Sequence, residues 1–323
     1  MATRPITFGT FVPQGWKTEL AHIEGAEAQW ATTIEVAELA ERLGYDSIWV
    51  YDHFHNVPRP AHEAVFECWT TLAALSQRTS RVRLGQMVGC APYRNPGLLA
   101  KITSNIDVMS GGRLDWGIGA GWYEHEFRGY GYDFLAPKDR IAVLAETVEI
   151  VRSMWTEPDT SYDGAHFRLD GAQCDPKPLQ QPHPPILVGG SGEQLTLRVV
   201  ARLADRSNFG GNPEEFAHKC DVLRRHCDAV GRDYDDIEKT WTPSLLVRET
   251  EAEVRAAAER RVGGESFDSW QAGNLVGTPD QVVDKIGRYV ELGVTSFLPW
   301  HVDLPGTEGL HMVAEQVIPA FRS

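Results

Sequence analysis

Asp52, His53 and His55 stand together in Tyr51-Asp52-His53-Phe54-His55, directly after the apolar run Ile48-Trp49-Val50. A short apolar run of this kind reads as a buried strand. Packing gives no reason to end it in an acid and two imidazoles, since a polar group buried without a partner costs roughly 2–7 kcal/mol. The chemistry on offer is proton transfer. An imidazole titrates near neutral pH, and a carboxylate beside it fixes its tautomer and raises its basicity. Asp52 is placed to orient His53, and His55 reads as a solvent-exposed loop residue.

His53-x-His55 also has metal-ligand spacing, because residues i and i+2 share a face of a strand. Barrel amidohydrolases use such a pair with a Lys, two further His and an Asp at later strand ends. The corresponding stretches here are Gly119-Ala120-Gly121-Trp122 and Gly189-Gly190-Ser191-Gly192, and only Asp303 lies near the last position. No metal is expected on this reading. Glu124, Glu126 and Glu193 fall in candidate mouth loops, but no strand end supplies the matched carboxylates of a glycosidase.

Gly189-Gly190-Ser191-Gly192 joins a strand candidate to a helix candidate. Glycines there let backbone N–H groups approach an anion at a helix N-terminus. The plainer alternative is a tight turn with Ser191 capping the helix. The stretch is not GxxxxGK[ST], so it does not read as a triphosphate loop. The five cysteines, Cys68, Cys90, Cys174, Cys220 and Cys227, are odd in number and include no CxxC pair. That argues against a disulfide framework and a structural zinc site.

The elements that must position these groups alternate along the 323 residues. Strand candidates are 6–12, the stretch 47–57, 82–88, 114–119, 184–188, 205–209, 241–247 and 294–298. Helix candidates are 28–43, 61–78, 96–109, 138–155, 192–204, 213–230, 250–261, 279–292 and 308–321. Eight strands alternating with helices signal an α/β fold, a (β/α)₈ TIM barrel, with an open doubly wound sheet as the rival. One domain over 1–323 is expected, with insertions near 121–137, 156–183 and 250–277, the second holding a surface hairpin at 161–167. In a barrel, chemistry collects at the C-terminal strand ends. That brings Gln14, Trp16, Asp52, His53, Gly89, Cys90, Gly119, Gly121, Trp122, Tyr123, Gly189 and Trp300 to one mouth. Such a lining, rich in aromatics and glycines, suits a flat conjugated ligand.

Composition limits the partners. The net charge is −14, with no Lys or Arg run. Nucleic acid and anionic membrane are therefore not expected. No window approaches the ~20 apolar residues of a membrane span, and nothing resembles a signal peptide, so the cytoplasm is the expected location.

In order and spacing, "FVPQGW", "SIWVYDHFH", "GAGWYEHEFRGYGYDF", "PPILVGGSGEQ" and "GTPDQVVDKIGRYVELGV" resemble the bacterial-luciferase-like flavin and deazaflavin oxidoreductases, most of all their coenzyme F-420-dependent branch. The resemblance implies an isoalloxazine-type ring in the barrel mouth, its phosphate on Gly189, Gly190, Ser191 and Gly192, and Asp52 and His53 against ring and substrate. It implies hydride transfer between F-420 and a small organic substrate, His53 being general acid or base and Gln14, Trp16, Trp122, Tyr123 and Trp300 shaping the substrate side. The alternative is an FMN-dependent monooxygenase using oxygen and a partner reductase. A homodimer is implied in either case. A sugar-phosphate-oxidising member has Glu after its Gly-x-Gly where Trp122 stands here, which points to a larger or more apolar substrate. The resemblance also implies a non-proline cis peptide between Gly89 and Cys90. For the glutamate tail of F-420, Arg94, Lys101, Lys138 and Arg140 are candidate partners.

Overall fold

The computed structural model describes residues 4–259 and 266–322. Eight parallel strands close into a barrel: β1 Thr7–Phe11, β2 Ser47–Val50, β3 Arg83–Gln86, β4 Leu114–Gly119, β5 Ile186–Gly189, β6 Arg206–Asn208, β7 Glu238–Trp241 and β8 Val294–Phe297. Each pairs with its sequence neighbour, and β8 closes on β1 with Thr7 opposite Ser296. This is the expected (β/α)₈ architecture, not the open sheet. Apolar side chains fill it because parallel strands are covered on both faces. Trp49, Trp116, Trp241, Phe8 and Phe297 are all fully buried.

Charge inside this core is paired. Asp115 on β4 accepts from Arg83 at 2.6 Å and Arg206 at 3.0 Å, and Arg206 reaches Glu238 at 2.7 Å. Burial alone would push the Asp115 carboxyl up, but the two guanidinium groups hold it below the usual carboxylate range.

Several elements differ from the expectation. The seventh barrel strand is Glu238–Trp241, not 241–247. The apolar Ser244–Val247 instead joins Leu275–Gly277 and Trp300–His301 in a small parallel sheet. Helix starts at Cys68 rather than 61, because Glu67 caps it by accepting from the Thr70 N–H. The helix after β5 is Thr196–Leu203, four residues later than expected. The C-terminal helix is α-helical only over Glu308–Met312. Part of the insertion expected near 250–277 is the helix Phe267–Gly273, with residues 260–265 lying outside those described. The hairpin is present as Thr160–Asp163 against Arg168–Ala172.

Candidate active site

The C-terminal ends of β1 to β6 surround a cavity of about 380 Å³. Its lining includes Trp16, Asp52, His53, Cys90, Gly119, Gly121, Trp122, Tyr123, Gly189 and Gly190, all expected at the mouth. Tyr51, Met87, Val88, Tyr93, Ala120, Thr196 and Asn208 complete it. Gln14, Gly89, Ser191, Gly192 and Trp300 are not part of this lining.

Those five have other work or other surroundings. The Gln14 amide donates to the Tyr51 carbonyl and accepts from the Tyr51 N–H, both at 2.8 Å, and so ties β1 to the end of β2. Trp300 is buried against Phe11 and Tyr51, with the Lys17 ammonium 4.6 Å from its ring. Burial among these rings lowers Lys17 to about 8, against the opposing pull of Glu19. Gly89 pairs with Ile118 as a strand residue. Ser191 and Gly192 are exposed, and no Ser191 cap is formed, since the helix begins at Thr196.

His53 is held on two sides. Its Nδ1 is 2.9 Å from Glu126 Oε2, and its ring stacks on Trp16 at 4.3 Å with an interplanar angle of 1°. Trp122 and Tyr123 meet it edge-on at 5.7 and 6.0 Å. Glu126 has no solvent exposure, yet every near group donates to it: the N–H of Phe54 at 2.7 Å, the N–H of His55 at 2.9 Å and the Tyr93 hydroxyl at 2.8 Å. Burial by itself would raise this carboxyl, but His53 and the two backbone N–H groups hold it below its ordinary range. Glu126 is therefore an ionised acceptor. It fixes a proton on His53 Nδ1 and leaves Nε2 without a protein partner among the described residues.

Sequence reasoning gave this orienting role to Asp52, which is corrected here. Adjacent residues on extended chain point apart. The Asp52 carboxylate accepts from Arg94 at 2.6 and 2.9 Å and from the Cys90 N–H at 2.8 Å. Arg94 also reaches Glu67 at 2.7 Å. Desolvation is the largest influence and works against the guanidinium charge, but the charge and hydrogen bond of Asp52 together with the charge of Glu67 and the Cys68 sulfur raise the Arg94 pKa. Arg94 is thus committed within the site and does not stand free for an anionic tail. Lys101 donates to the Asp175 carbonyl and Arg140 to the Leu135 carbonyl, while Lys138 is exposed. Asp52, Glu67 and Cys68 cluster as metal ligands would, but the Arg94 cation already supplies their positive charge.

The bulge after β3 forms part of the cavity wall. Its non-proline cis peptide lies between Met87 and Val88, not between Gly89 and Cys90. β3 ends at Gln86, so the departure begins at once and extended pairing resumes at Gly89–Cys90. Val88 wedges between β4 and β5. A Cβ on Gly119 would stand 2.6 Å from Val88 Cγ2, and one on Gly189 would stand 2.8 Å from Val88 Cγ1. These glycines exist for close approach of Val88, a role the sequence did not reveal. Beyond β5, the Gly190 N–H is taken by the Asn208 carbonyl, which removes one expected anion donor, while Thr196 lines the cavity.

Comparisons with known proteins agree with this architecture. A family model described as luciferase-like monooxygenase matches residues 6–269. An uncharacterised protein of Mycobacterium tuberculosis is 32% identical over 279 residues, covering 80% of this chain and 92% of that protein. An F-420-dependent glucose-6-phosphate dehydrogenase of Microbacterium testaceum is 27% identical over 316 residues, covering 90% and 93%. The structure of an F-420-dependent secondary alcohol dehydrogenase in complex with an F-420–acetone adduct superposes with a TM-score of 0.84 at 20% identity, covering 99% of this chain and 100% of that one.

Proposed function

The chain belongs to the luciferase-like monooxygenase family, and on that premise we propose that it is an F-420-dependent oxidoreductase moving a hydride between the deazaflavin and a small uncharged organic substrate. The observation that carries this reading is the His53 imidazole, held on the cavity wall by Glu126 and Trp16. A proton carrier in a cavity walled by aromatic rings is what carbonyl–alcohol chemistry needs beside a hydride donor.

The residues present fit the cofactor. Met87 and Val88 give an apolar surface for a flat ring, brought into the cavity because Gly119 and Gly189 carry no Cβ. The Thr196 hydroxyl, beside Gly189 and Gly190 on the cavity wall, would hold its phosphate, with Ser191 and Gly192 on the outer side of the same turn. When bound, F-420 supplies a carbon that accepts or gives the hydride. His53 Nε2 holds or moves the proton of the substrate oxygen, and Glu126 keeps the tautomer that makes this possible. Trp16, Trp122 and Tyr123 orient the substrate and exclude water, so that alignment supplies much of the acceleration.

No Lys or Arg lines the cavity among the described residues, which speaks for an uncharged substrate rather than a sugar phosphate. The family description favours a second reading, an FMN-dependent monooxygenase fed by a separate reductase. A homodimer accompanies both readings and rests on the family resemblance alone; a cytoplasmic location is proposed with both. Absorbance titration of the purified protein with F-420 and with FMN separates the two. Saturable F-420 binding, with bleaching of the oxidised cofactor by secondary alcohols and no oxygen uptake, is the expected result. Tight FMN binding with reductase-driven oxygen uptake would replace this reading by the second.

A further inference from the structure

Beside the cavity mouth lies a second cleft, of about 390 Å³, lined by Phe54, His55, Asn56, Pro60, His62, Glu63 and His125. It holds three imidazoles that the proposed reaction does not use. His55 Nδ1 and His125 Nδ1 are 2.9 Å apart, with ring centroids at 4.8 Å and an interplanar angle of 71°. One ring must donate and the other accept, so a nitrogen lone pair already faces the opposite ring. We infer that this cleft binds one divalent ion of the zinc class through His55 Nδ1 and His125 Nδ1, with His62 as third ligand and water as fourth.

The geometry is close to what the ion requires. Two imidazole nitrogens at about 2.0–2.1 Å from a tetrahedral ion stand about 3.3 Å apart. Opening the pair by a few tenths of an ångström is enough. Two Nδ1–metal bonds then form, the bridging proton moves to Nε2 of the ring that held it, and no net proton is released. His62 is exposed and must move inward. The only set of three potential ligands with all atoms within 4.8 Å of one another among the described residues is Asp52, Glu67 and Cys68. Imidazole donors select zinc, copper, nickel or cobalt over magnesium or calcium, which prefer oxygen. The five cysteines are buried and do not compete.

This pair is not the His-x-His that the sequence suggests, because His53 is bonded to Glu126. The ion would join the segment after His53 to the helix Glu124–Gly129, which carries Glu126. It would also fix the wall of the cavity, since Tyr123 stacks on His125 at 5.9 Å and Trp122 on Tyr123 at 5.2 Å.

The test uses the full chain after chelator treatment, titrated calorimetrically with Zn²⁺ and spectroscopically with Co²⁺. The expected result is one saturable site per chain, a tetrahedral cobalt spectrum, and a Zn²⁺-dependent rise in Tm. His125→Ala, at an exposed position, should weaken binding at least about tenfold and abolish the Tm rise. His62→Ala should weaken binding by a smaller factor and change the cobalt spectrum. Circular dichroism checks that both variants fold. Equal affinity in the wild type and a His55→Gln/His125→Ala double variant, or no saturation by about 1 mM, would leave a surface imidazole pair only and overturn the site.

Discussion

Glu126 Oε2 lies 2.9 Å from His53 Nδ1, across 73 positions of sequence, and the carboxylate is completely buried while the imidazole borders the cavity. The charge sits where water cannot screen it, and the proton it orders sits where a substrate can reach the other nitrogen. A buried carboxylate is tolerated here because four donors meet it.

His53→Ala is expected to fold normally and to lower turnover on the order of 10²–10⁴-fold, the range for removing a general acid or base. Glu126→Gln keeps the shape but not the charge, and should cost at least about tenfold in kcat with little change in cofactor affinity. The distinguishing readout is the downfield imidazole Nδ1–H proton signal in NMR, present in the wild type and lost in Glu126→Gln. Wild-type turnover in both variants would remove His53 from the chemistry.

Asp52→Ala is expected to act on stability first. It leaves the Arg94 guanidinium, whose side chain is 12% exposed, with Glu67 as its one carboxylate partner, and leaves the Cys90 N–H without its acceptor. Removing one partner of a buried pair costs about 3–5 kcal/mol. Urea unfolding measures it, and Arg94→Leu in the Asp52→Ala background should recover part of the loss. A change below about 1 kcal/mol would mean that Asp52 serves the ligand rather than the fold.

Gly192→Val tests the loop after β5. The added Cβ would stand 2.8 Å from Thr196 Oγ1, so the hydroxyl must move from its place at the cavity. Cofactor Kd should rise about tenfold or more, the value of one well-placed polar contact, with little change in Tm because the position is exposed. Ser191→Ala, outside the cavity, should change neither. Unaltered cofactor affinity in Gly192→Val would reduce the loop to a turn.

The barrel was legible because its strands are apolar runs between helical patterns, and the two exceptions have physical causes. Glu238 and Lys239 disguise β7: Glu238 pairs with Arg206, and the Lys239 ammonium lies 3.8 Å from the Tyr234 ring. The more apolar run Ser244–Val247 is buried in the small sheet and looks more like a barrel strand than β7 does. At the site, Asp52 and His53 stand out because polar groups follow an apolar run. Glu126 does not, because Glu124 and Glu126 are the same residue type two positions apart on one short helix, and only the fold buries the second. Arg94 was visible as a cation, but its partner Asp52 is supplied by another strand end.

His301 makes the last expectation one about pH. Its ring is buried, neither nitrogen has a hydrogen-bond partner among the described residues, and Tyr45 packs edge-on at 6.2 Å. Burial lowers its pKa to about 4 from 6.5, only partly opposed by the charge of Asp303. The folded protein therefore keeps His301 neutral while the unfolded chain protonates it below about pH 6.5. Between the two values the unfolded state binds the extra proton, so stability rises with pH there. The contribution is fully present above about pH 6.5 and is lost as pH falls toward 4, at about 1.4 kcal/mol per unit and roughly 3 kcal/mol in all. His301→Phe keeps an aromatic ring against Tyr45 and removes the titration. Urea unfolding of both proteins from pH 7 to pH 4 should show the wild type losing ground to the variant by that amount as the pH falls. Parallel curves would mean that His301 gains a proton in the folded protein as readily as in the unfolded chain.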